Sequence, residues 1–530
     1  MRVLLINPHY PLSETPSPPL GLAYLAAALR CASIPVRVLD FVVMPGTQQR
    51  LAAAVEDFQP NVVGVTAVSM NAHRALDLVR RVKALDPAIR TVMGGPHVSF
   101  RAEETLAENP DLDAVVIGEG EAAFTEMIER LEAGRSLHSV AGIVFRSGGR
   151  IHRTRQRPRI ANLDELADPA RDLLPLGRYR ALHLPVSMTT SRGCPHRCIF
   201  CLGRKMVGAR VRYRSPKRVV DEMAKLAQFG FHQINIADDL FTASPRHCRA
   251  VCDELRVRDL SVPWTAFARV DSVTETRLRR MRDAGCTAVS FGVESGSDAV
   301  LRTARKGITC KQVMDAVKAC RRAGIAPHAS FLLGLPGETP ETLEETLAFG
   351  RRLEEEGVAY GFHLLAPFPG TDVREQAESL GIRILTDDWS RYDANRAVVE
   401  TETVSAQDLD AIVADWEGRF LQWLGEVDDR RRSGTASAPE RAQLENLEQT
   451  VVVYDLMMAE FLENRPPLPL GGAPPTPEEE LQRLGVEGAR VLRRPADEVL
   501  GALETAYRRG DLLNRRRNGR RVWQWRDRIE

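Results

Sequence analysis

Twice along its 530 residues the chain alternates short apolar runs with helical patterns, and that alternation leaves few folds open. In the first third, apolar runs at 3–6, 36–42, 62–66, 91–93 and 114–117 are separated by helical stretches near 21–29, 51–58 and 74–85. Strands that alternate with helices predict a parallel sheet covered on both faces. The pattern returns between about 186 and 370, with runs at 233–237, 264–268, 288–293, 328–333 and 360–365, and suits a partial parallel barrel. Pro158, Pro169 and Pro175 mark a linker between the two. Beyond about 385 the periodicity turns helical, at 410–424, 443–461 and 496–509, followed by a hairpin around Asn518-Gly519. The expected class is therefore α/β, in a chain too long for one core. A Rossmann-like (flavodoxin-like) domain is expected at 1–145, a linker at 146–185, a partial (β/α) barrel at 186–385, and a mostly helical region at 386–530 with a winged-helix-like end.

In open parallel sheets ligands sit beyond the carboxyl ends of the strands. The glycine and polar signals of the first domain fall there: Asn7 to Tyr10, Ser69 to Asn71, Gly94-Gly95-Pro96-His97 and Gly118-Glu119-Gly120-Glu121. Glycines let a large ligand lie against backbone, although any flavodoxin-like domain carries some of them. Lysine plus arginine (72) nearly balances aspartate plus glutamate (71), so no global field draws the protein to nucleic acid or anionic lipid, and any basic patch must be local. No apolar stretch approaches the roughly 20 residues of a membrane span, and no signal peptide is evident. Nine widely spread cysteines fit reduced thiols in a cytoplasmic protein. Cys248 and Cys252, one helical turn apart, read as core side chains.

The run Thr-Thr-Ser-Arg-Gly-Cys-Pro-His-Arg-Cys-Ile-Phe-Cys supplies three thiolates, from Cys194, Cys198 and Cys201, and no fourth. An iron-sulfur cube held by three cysteines keeps one iron open to a small chelating molecule. Structural zinc asks for four closed ligands, and His196, inside the loop, is a poor fourth.

With Phe200 before the last cysteine, this run resembles the radical S-adenosylmethionine (SAM) superfamily. The resemblance implies a [4Fe-4S] cluster whose open iron is chelated by the amino and carboxylate groups of SAM, and an external one-electron reductant of flavodoxin or ferredoxin type. Reduction would cleave SAM to a 5'-deoxyadenosyl radical. Three further segments, Pro19-Leu20-Gly21-Leu22-Ala23-Tyr24-Leu25, Gly94-Gly95-Pro96-His97 and Val116-Ile117-Gly118-Glu119-Gly120-Glu121, placed before that triplet, resemble the cobalamin-dependent radical SAM group over residues 1 to about 370. This implies a cobalamin site at Leu20, Gly21, Gly94, Gly95, Gly118, Glu119, Gly120 and Glu121. The Asp-x-His-x-x-Gly signature of a lower histidine ligand is absent; Ser69, Met70 and Asn71 are candidates for the lower face of cobalt, and His97 for the corrin periphery. For SAM the resemblance implies Phe200 beside the cluster, Asp238 or Asp239 near the amino group, Glu294 with Ser295 at the ribose, and Ser330 in the fifth strand. Arg269, Arg305 and Lys306 compete for the SAM carboxylate.

The function expected from the resemblance is a cobalamin-dependent methyltransferase acting on an unactivated carbon of a small molecule. The runner-up is an oxidoreductase or cyclase using the same cofactors without methyl transfer. A cobalamin-binding sensor gripping DNA through Arg515, Arg516, Arg517, Arg520 and Arg521 would leave the three cysteines unexplained, so no nucleic-acid or membrane partner is expected.

Overall fold

The computed structural model describes residues 1–465, 468–469, 475–517 and 520–528; the Asn518-Gly519 turn and most of the break expected after Pro466 lie outside them. Valine-rich runs form the first sheet from β1 (Val3–Asn7), β2 (Val36–Asp40), β3 (Val62–Thr66), β4 (Arg90–Gly94), β5 (Ala114–Val116), β6 (Ile143–Ser147) and β7 (Arg150–Arg153), in the order β2-β1-β3-β4-β5-β6-β7. The first five strands are parallel. The last two are an antiparallel hairpin on β5, which carries the sheet past residue 145 to Arg153. Its alternation is tight (Ser147 and Arg150 flank two glycines), so it shows as a turn and not as a helix-linked strand.

Side chains of this sheet alternate between two buried faces. Leu4, Ile6, Val63, Val65 and Met93 pack on one side with the helix Ala72–Leu85. Val3, Leu5, Val62 and Val92 pack on the other with the helices Leu20–Cys31 and Gly120–Glu132.

The second sheet contains β8 (Val186–Met188), β11 (Ile234–Ile236), β12 (Trp264–Ala268), β13 (Cys286–Glu294), β14 (Ala326–Leu333) and β15 (Ala359–Leu364), all parallel, in the order β15-β14-β13-β12-β11-β8. Six strands leave β8 and β15 as edges, so the barrel is partial. Between β8 and β11, a two-residue antiparallel clamp of β9 (Ser191–Arg192) and β10 (Arg212–Tyr213) closes the base of the cysteine loop. The intervening helices start promptly after their turns because Ser244, Thr274, Thr309 and Thr339 each cap the next helix through a side-chain oxygen.

After a short hairpin of β16 (Ile382–Ile384) and β17 (Val399–Thr401), the chain forms long helices at Ala406–Arg432 and Ala438–Met458. The end combines helices Pro477–Leu492 and Ala496–Arg508 with a three-stranded antiparallel sheet of β18 (Leu468–Pro469), β19 (Leu512–Arg517) and β20 (Arg520–Trp525). All parts converge on the linker helix Leu176–Ala181. Buried Arg178 donates to Val43 O (3.3 Å), Glu463 (2.7 Å) and Asp527 (2.5 Å), and the Tyr179 hydroxyl donates to Asp40 Oδ2 (2.7 Å). No helix among the described residues is long and apolar enough to cross a membrane.

Candidate functional site

The carboxyl ends of the two parallel sheets share one cavity of about 390 Å³. From the first sheet it is lined by Gly94, Gly95, Gly118, Gly120 and Glu121, and it extends into a slot between Leu5, Gly64, Val92 and Phe124. From the second sheet come Thr189, Ser191, Arg192, Ala237 and Asp239.

The glycines play two roles. Gly95 has φ +103°, and a Cβ there would lie 2.5 Å from Ala67 O, so backbone geometry demands it. A Cβ on Gly21 would instead meet nothing within 4 Å; one on Gly118 would also find open space, but its φ of +73° favours glycine on backbone grounds as well. Gly21 stands in the first turn of a helix, where alanine would be more favourable; what it preserves is room over the strand ends. Open, mostly apolar space bordered by glycine backbone fits a large, flat ligand.

The cysteine loop is anchored from several directions. Cys194 N–H donates to Gly208 O (3.0 Å), Ile199 N–H to Ala304 O (3.2 Å), and Val373 N–H to Ile199 O (3.0 Å). Gly193, at φ +123°, passes so close to Arg210 that a Cβ would sit 2.5 Å from its carbonyl oxygen. Cys201 Sγ accepts from Gly203 N–H (3.3 Å). Burial raises the pKa of all three thiols, so a positively charged metal centre has to displace their protons. Among the described residues no three Cys, His, Asp or Glu side chains are gathered closely enough for a single ion. Three anchored thiols without a fourth ligand suit a multi-metal cluster instead.

Around this loop the structure separates residues that look equivalent in sequence. Asp238 is buried and its carboxylate accepts four bonds, from the N–H and hydroxyl of Thr190 (both 2.6 Å) and of Ser191 (3.0 and 2.7 Å). It pins the chain entering the cysteine loop. Asp239 takes one contact, from Gly193 N–H (3.3 Å), and lines the shared cavity. Burial raises the pKa of both carboxyls.

Glu294 ends β13 at a register shift and holds φ +69°, a strained conformation for a non-glycine residue. Its Oε1 accepts from Lys306 Nζ (2.6 Å), and Lys306 in turn sits 5.9 Å above the Phe200 ring, inside the cysteine loop. Ser295 points elsewhere: its hydroxyl meets Thr346 (3.0 Å) and accepts from Ser297 N–H (3.1 Å). Ser330 is half-buried in β14 opposite Gly292 and Gly361. Of the three competing cations, Arg269 is forked onto Asp271 (3.0 and 2.9 Å) and Arg305 is exposed, which leaves Lys306 as the buried one beside the loop.

Four residues expected at the cobalamin site, Ser69, Met70, Asn71 and His97, are not among those that line this cavity. Ser69 Oγ meets His97 Nδ1 (3.1 Å), and the His97 ring packs edge-on to Trp389 at 5.0 Å. Burial and the nearby Arg101 and Arg374 guanidiniums push the His97 pKa down to about 4. Asn71 turns back to accept from Val68 N–H (2.9 Å), and Met70 is half-buried and not among the lining. Thr66, at the end of β3, lines the cavity in their place. Leu20 opens the helix Leu20–Cys31, whose Gly21, Leu22 and Leu25 reach the cavity.

Glu119 and Glu121 are engaged across the domain boundary. Arg192 donates to Glu119 (3.2 Å) and Glu121 (2.6 Å), and Arg212 donates to Glu119 (2.9 Å). The neighbouring guanidiniums outweigh the cost of burial and hold Glu119 below the usual carboxylate range. Arg192 also lies 5.1 Å over the Tyr24 ring and is followed directly by Gly193-Cys194. Sequence reasoning missed it, because its partners lie more than seventy residues upstream and nothing local marks the pairing.

Comparisons with known proteins agree with this geometry. Residues 13–128 match the B12 binding domain model and residues 188–350 the radical SAM superfamily model. The chain is 35% identical over 423 residues to an uncharacterized methyltransferase, PH0819, of Pyrococcus horikoshii, covering 78% of this chain and 91% of that protein. The chain belongs to the cobalamin-dependent radical SAM methyltransferase family. It is thus a radical SAM enzyme. It is also 29% identical to an anaerobic magnesium-protoporphyrin IX monomethyl ester cyclase of Rubrivivax gelatinosus, over 82% of this chain and 80% of that one. Among solved folds, the cobalamin-dependent SAM radical enzyme OxsB superposes with a TM-score of 0.69 at 18% identity, covering 94% of this chain and 78% of that chain. The radical SAM methyltransferase TsrM of Kitasatospora setae gives 0.62 at 22%, covering 73% and 79%.

Proposed function

We propose that this enzyme methylates an unactivated carbon of a small-molecule substrate. The observation that carries the reading is the single cavity lined both by the strand-end glycines of the cobalamin domain and by Thr189, Arg192 and Asp239 beside the cysteine loop. When bound, the cluster with SAM supplies a hydrogen-abstracting 5'-deoxyadenosyl radical, and cobalamin supplies a transferable methyl group.

Cys194, Cys198 and Cys201 would hold a [4Fe-4S] cluster, with Phe200 beside it. Asp239 is free to accept from the SAM ammonium, whereas Asp238 has no acceptor capacity to spare. Glu294 would accept from the ribose hydroxyls, oriented by Lys306, whose ammonium is also the best placed for the SAM carboxylate. Gly21, Gly94, Gly95, Gly118 and Gly120 would let the corrin lie close against backbone, while Leu5, Gly64, Val92 and Phe124 give an apolar slot for part of the same ligand. Arg192, tied to Glu119 and Glu121, holds the two cradles at a set separation, and proximity of the reacting partners is where such an enzyme gains most. Nine unpaired cysteines support a reducing, cytoplasmic setting.

The test supplies methyl-labelled SAM to the anaerobically reconstituted enzyme. Label in the product is expected. Net oxidation or ring closure with no label in product would favour the second reading, which the likeness to the magnesium-protoporphyrin ester cyclase supports.

A further inference from the structure

Complete parallel barrels fill their interiors with layers of bulky branched side chains, and the second sheet does not. Alternation puts Ile234, Trp264, Val289, Phe291 and Phe331 on its outer face, in the core with the helices. Phe331, for one, lies 6.4 Å from Phe349 of the helix Pro340–Glu355. The inner face carries Ser187, Asn235, Thr265, Ser290, His328 and Ser330, all small or polar and half-buried. Phe267, on the same face of β12, is 53% exposed although β12 stands inside the six-stranded sheet. Thr189 and Ala237, each two residues beyond Ser187 and Asn235, line the cavity shared with the cobalamin domain, so this face runs up into it.

Phe267, Ser290 and His328 are register neighbours on β12, β13 and β14. Strands lie about 4.8 Å apart, so the three side chains form a band about 10 Å across. The next row toward the strand ends is Gly292, Ser330 and Gly361, followed by Glu294, which places the band directly below the residues proposed for SAM. Neither the Ser290 hydroxyl nor the His328 ring has a hydrogen-bond partner among the described residues. Burial and the neighbouring His363 lower the His328 pKa, so its imidazole is neutral at pH 7. Short of Glu294, the inner-facing residues of β11 to β15 include no Asp, Glu, Lys or Arg.

We propose that Phe267, Ser290 and His328 select the substrate, and that they take an uncharged, flat ring bearing a hydrogen-bonding group, at a point remote from the carbon that reacts. The inference rests on the functional reading above and adds the class of molecule. An exposed aromatic face beside two unpartnered polar groups matches such a ring in shape and in chemistry. A carboxylate or phosphate in the same place would lose its water and find no counter-ion. Binding a remote ring also supplies the energy that holds the reacting carbon in the shared cavity.

The test uses the full enzyme loaded with cluster, cobalamin and SAM, and two probes that share one ring system: 2-naphthol, which is neutral, and 2-naphthoate, which is not. Equilibrium dialysis should show saturable binding of 2-naphthol and at least about tenfold weaker binding of 2-naphthoate. Phe267→Ala and His328→Ala should each weaken 2-naphthol by about tenfold, with iron content, cobalamin content and SAM affinity unchanged. Phe267→Leu, which keeps bulk and removes the aromatic face, guards against a folding defect and should also bind more weakly. Four results would overturn the proposal: no saturable binding of 2-naphthol, 2-naphthoate bound as tightly, variants that bind like the wild type, or variants that lose SAM or iron together with the probe. None of these measurements needs turnover. Absence of SAM-derived label in the product would defeat the methyl-transfer reading, and the dialysis would still decide the ring site.

Discussion

The two parallel sheets meet at one cavity and present opposite chemistry to it. The strand ends of the cobalamin domain are stripped to glycine and short apolar side chains, with a Cβ at Gly21 or Gly118 pointing into open space. Those of the radical SAM sheet are crowded with charge: Asp238, Asp239, Glu294 and, beside them, Lys306. A large, nearly neutral ligand would be held mainly by shape. A small zwitterion on a cluster is held by point charges whose positions must be set in advance. The second strategy needs supporting residues, which is why Asp238 spends its whole carboxylate on Thr190 and Ser191 while its neighbour Asp239 keeps capacity.

If the two cradles are independent, each can be emptied alone. Cys198→Ala should abolish turnover and drop the iron and sulfide content after anaerobic reconstitution, while cobalamin retention stays at the wild-type level. Gly21→Leu should do the reverse: filling open space costs the fold little, so thermal stability and iron content hold, but cobalamin affinity falls by about tenfold to a hundredfold. A variant that lost both groups together would break the comparison.

Within the charged sheet, Asp238→Asn and Asp239→Asn sharpen it further. The first should destabilise the fold by about 2 kcal/mol in denaturant unfolding, as charge-assisted bonds to buried donors are lost. The second should leave stability nearly unchanged and raise the KM for SAM by about tenfold.

The smallest effect concerns the interface. Burial raises the Asp40 carboxyl to about 6, against the bonds from Tyr179, Asn7 and Val42 that favour its charged form. The folded state therefore holds a proton that the unfolded chain releases near 3.8, so this group's contribution is full below that value and is lost as pH rises toward 6. Asp40→Asn keeps the shape and should flatten the decline of melting temperature across that interval.

Much of the fold could be read from periodicity, since short apolar runs between helical stretches admit little besides parallel sheets. The cysteine triplet was equally legible, because ligands three and four residues apart are a local pattern. The β6–β7 hairpin and the true lengths of Ala406–Arg432 and Ala438–Met458 were not, as a helix with a broad polar surface leaves a weak apolar stripe. At the site, spacing could not tell Asp238 from Asp239, nor Lys306 from Arg269 and Arg305. Their roles depend on which donors the folded chain brings to them.

What the amino-acid order determined alone was the inventory and its local grammar: two strand-helix alternations, glycines at strand ends, and three thiolates in one loop. Only the tertiary structure decided that both sets of strand ends face one another and that Arg192 spans them through Glu119 and Glu121. It also decided that the linker helix locks the arrangement through Arg178 and Tyr179. The physical reason is that periodicity and loop spacing are properties of neighbours in the chain. Charge pairing and cavity lining join residues from distant segments, and come into being when burial removes the water that would otherwise have satisfied each of them separately.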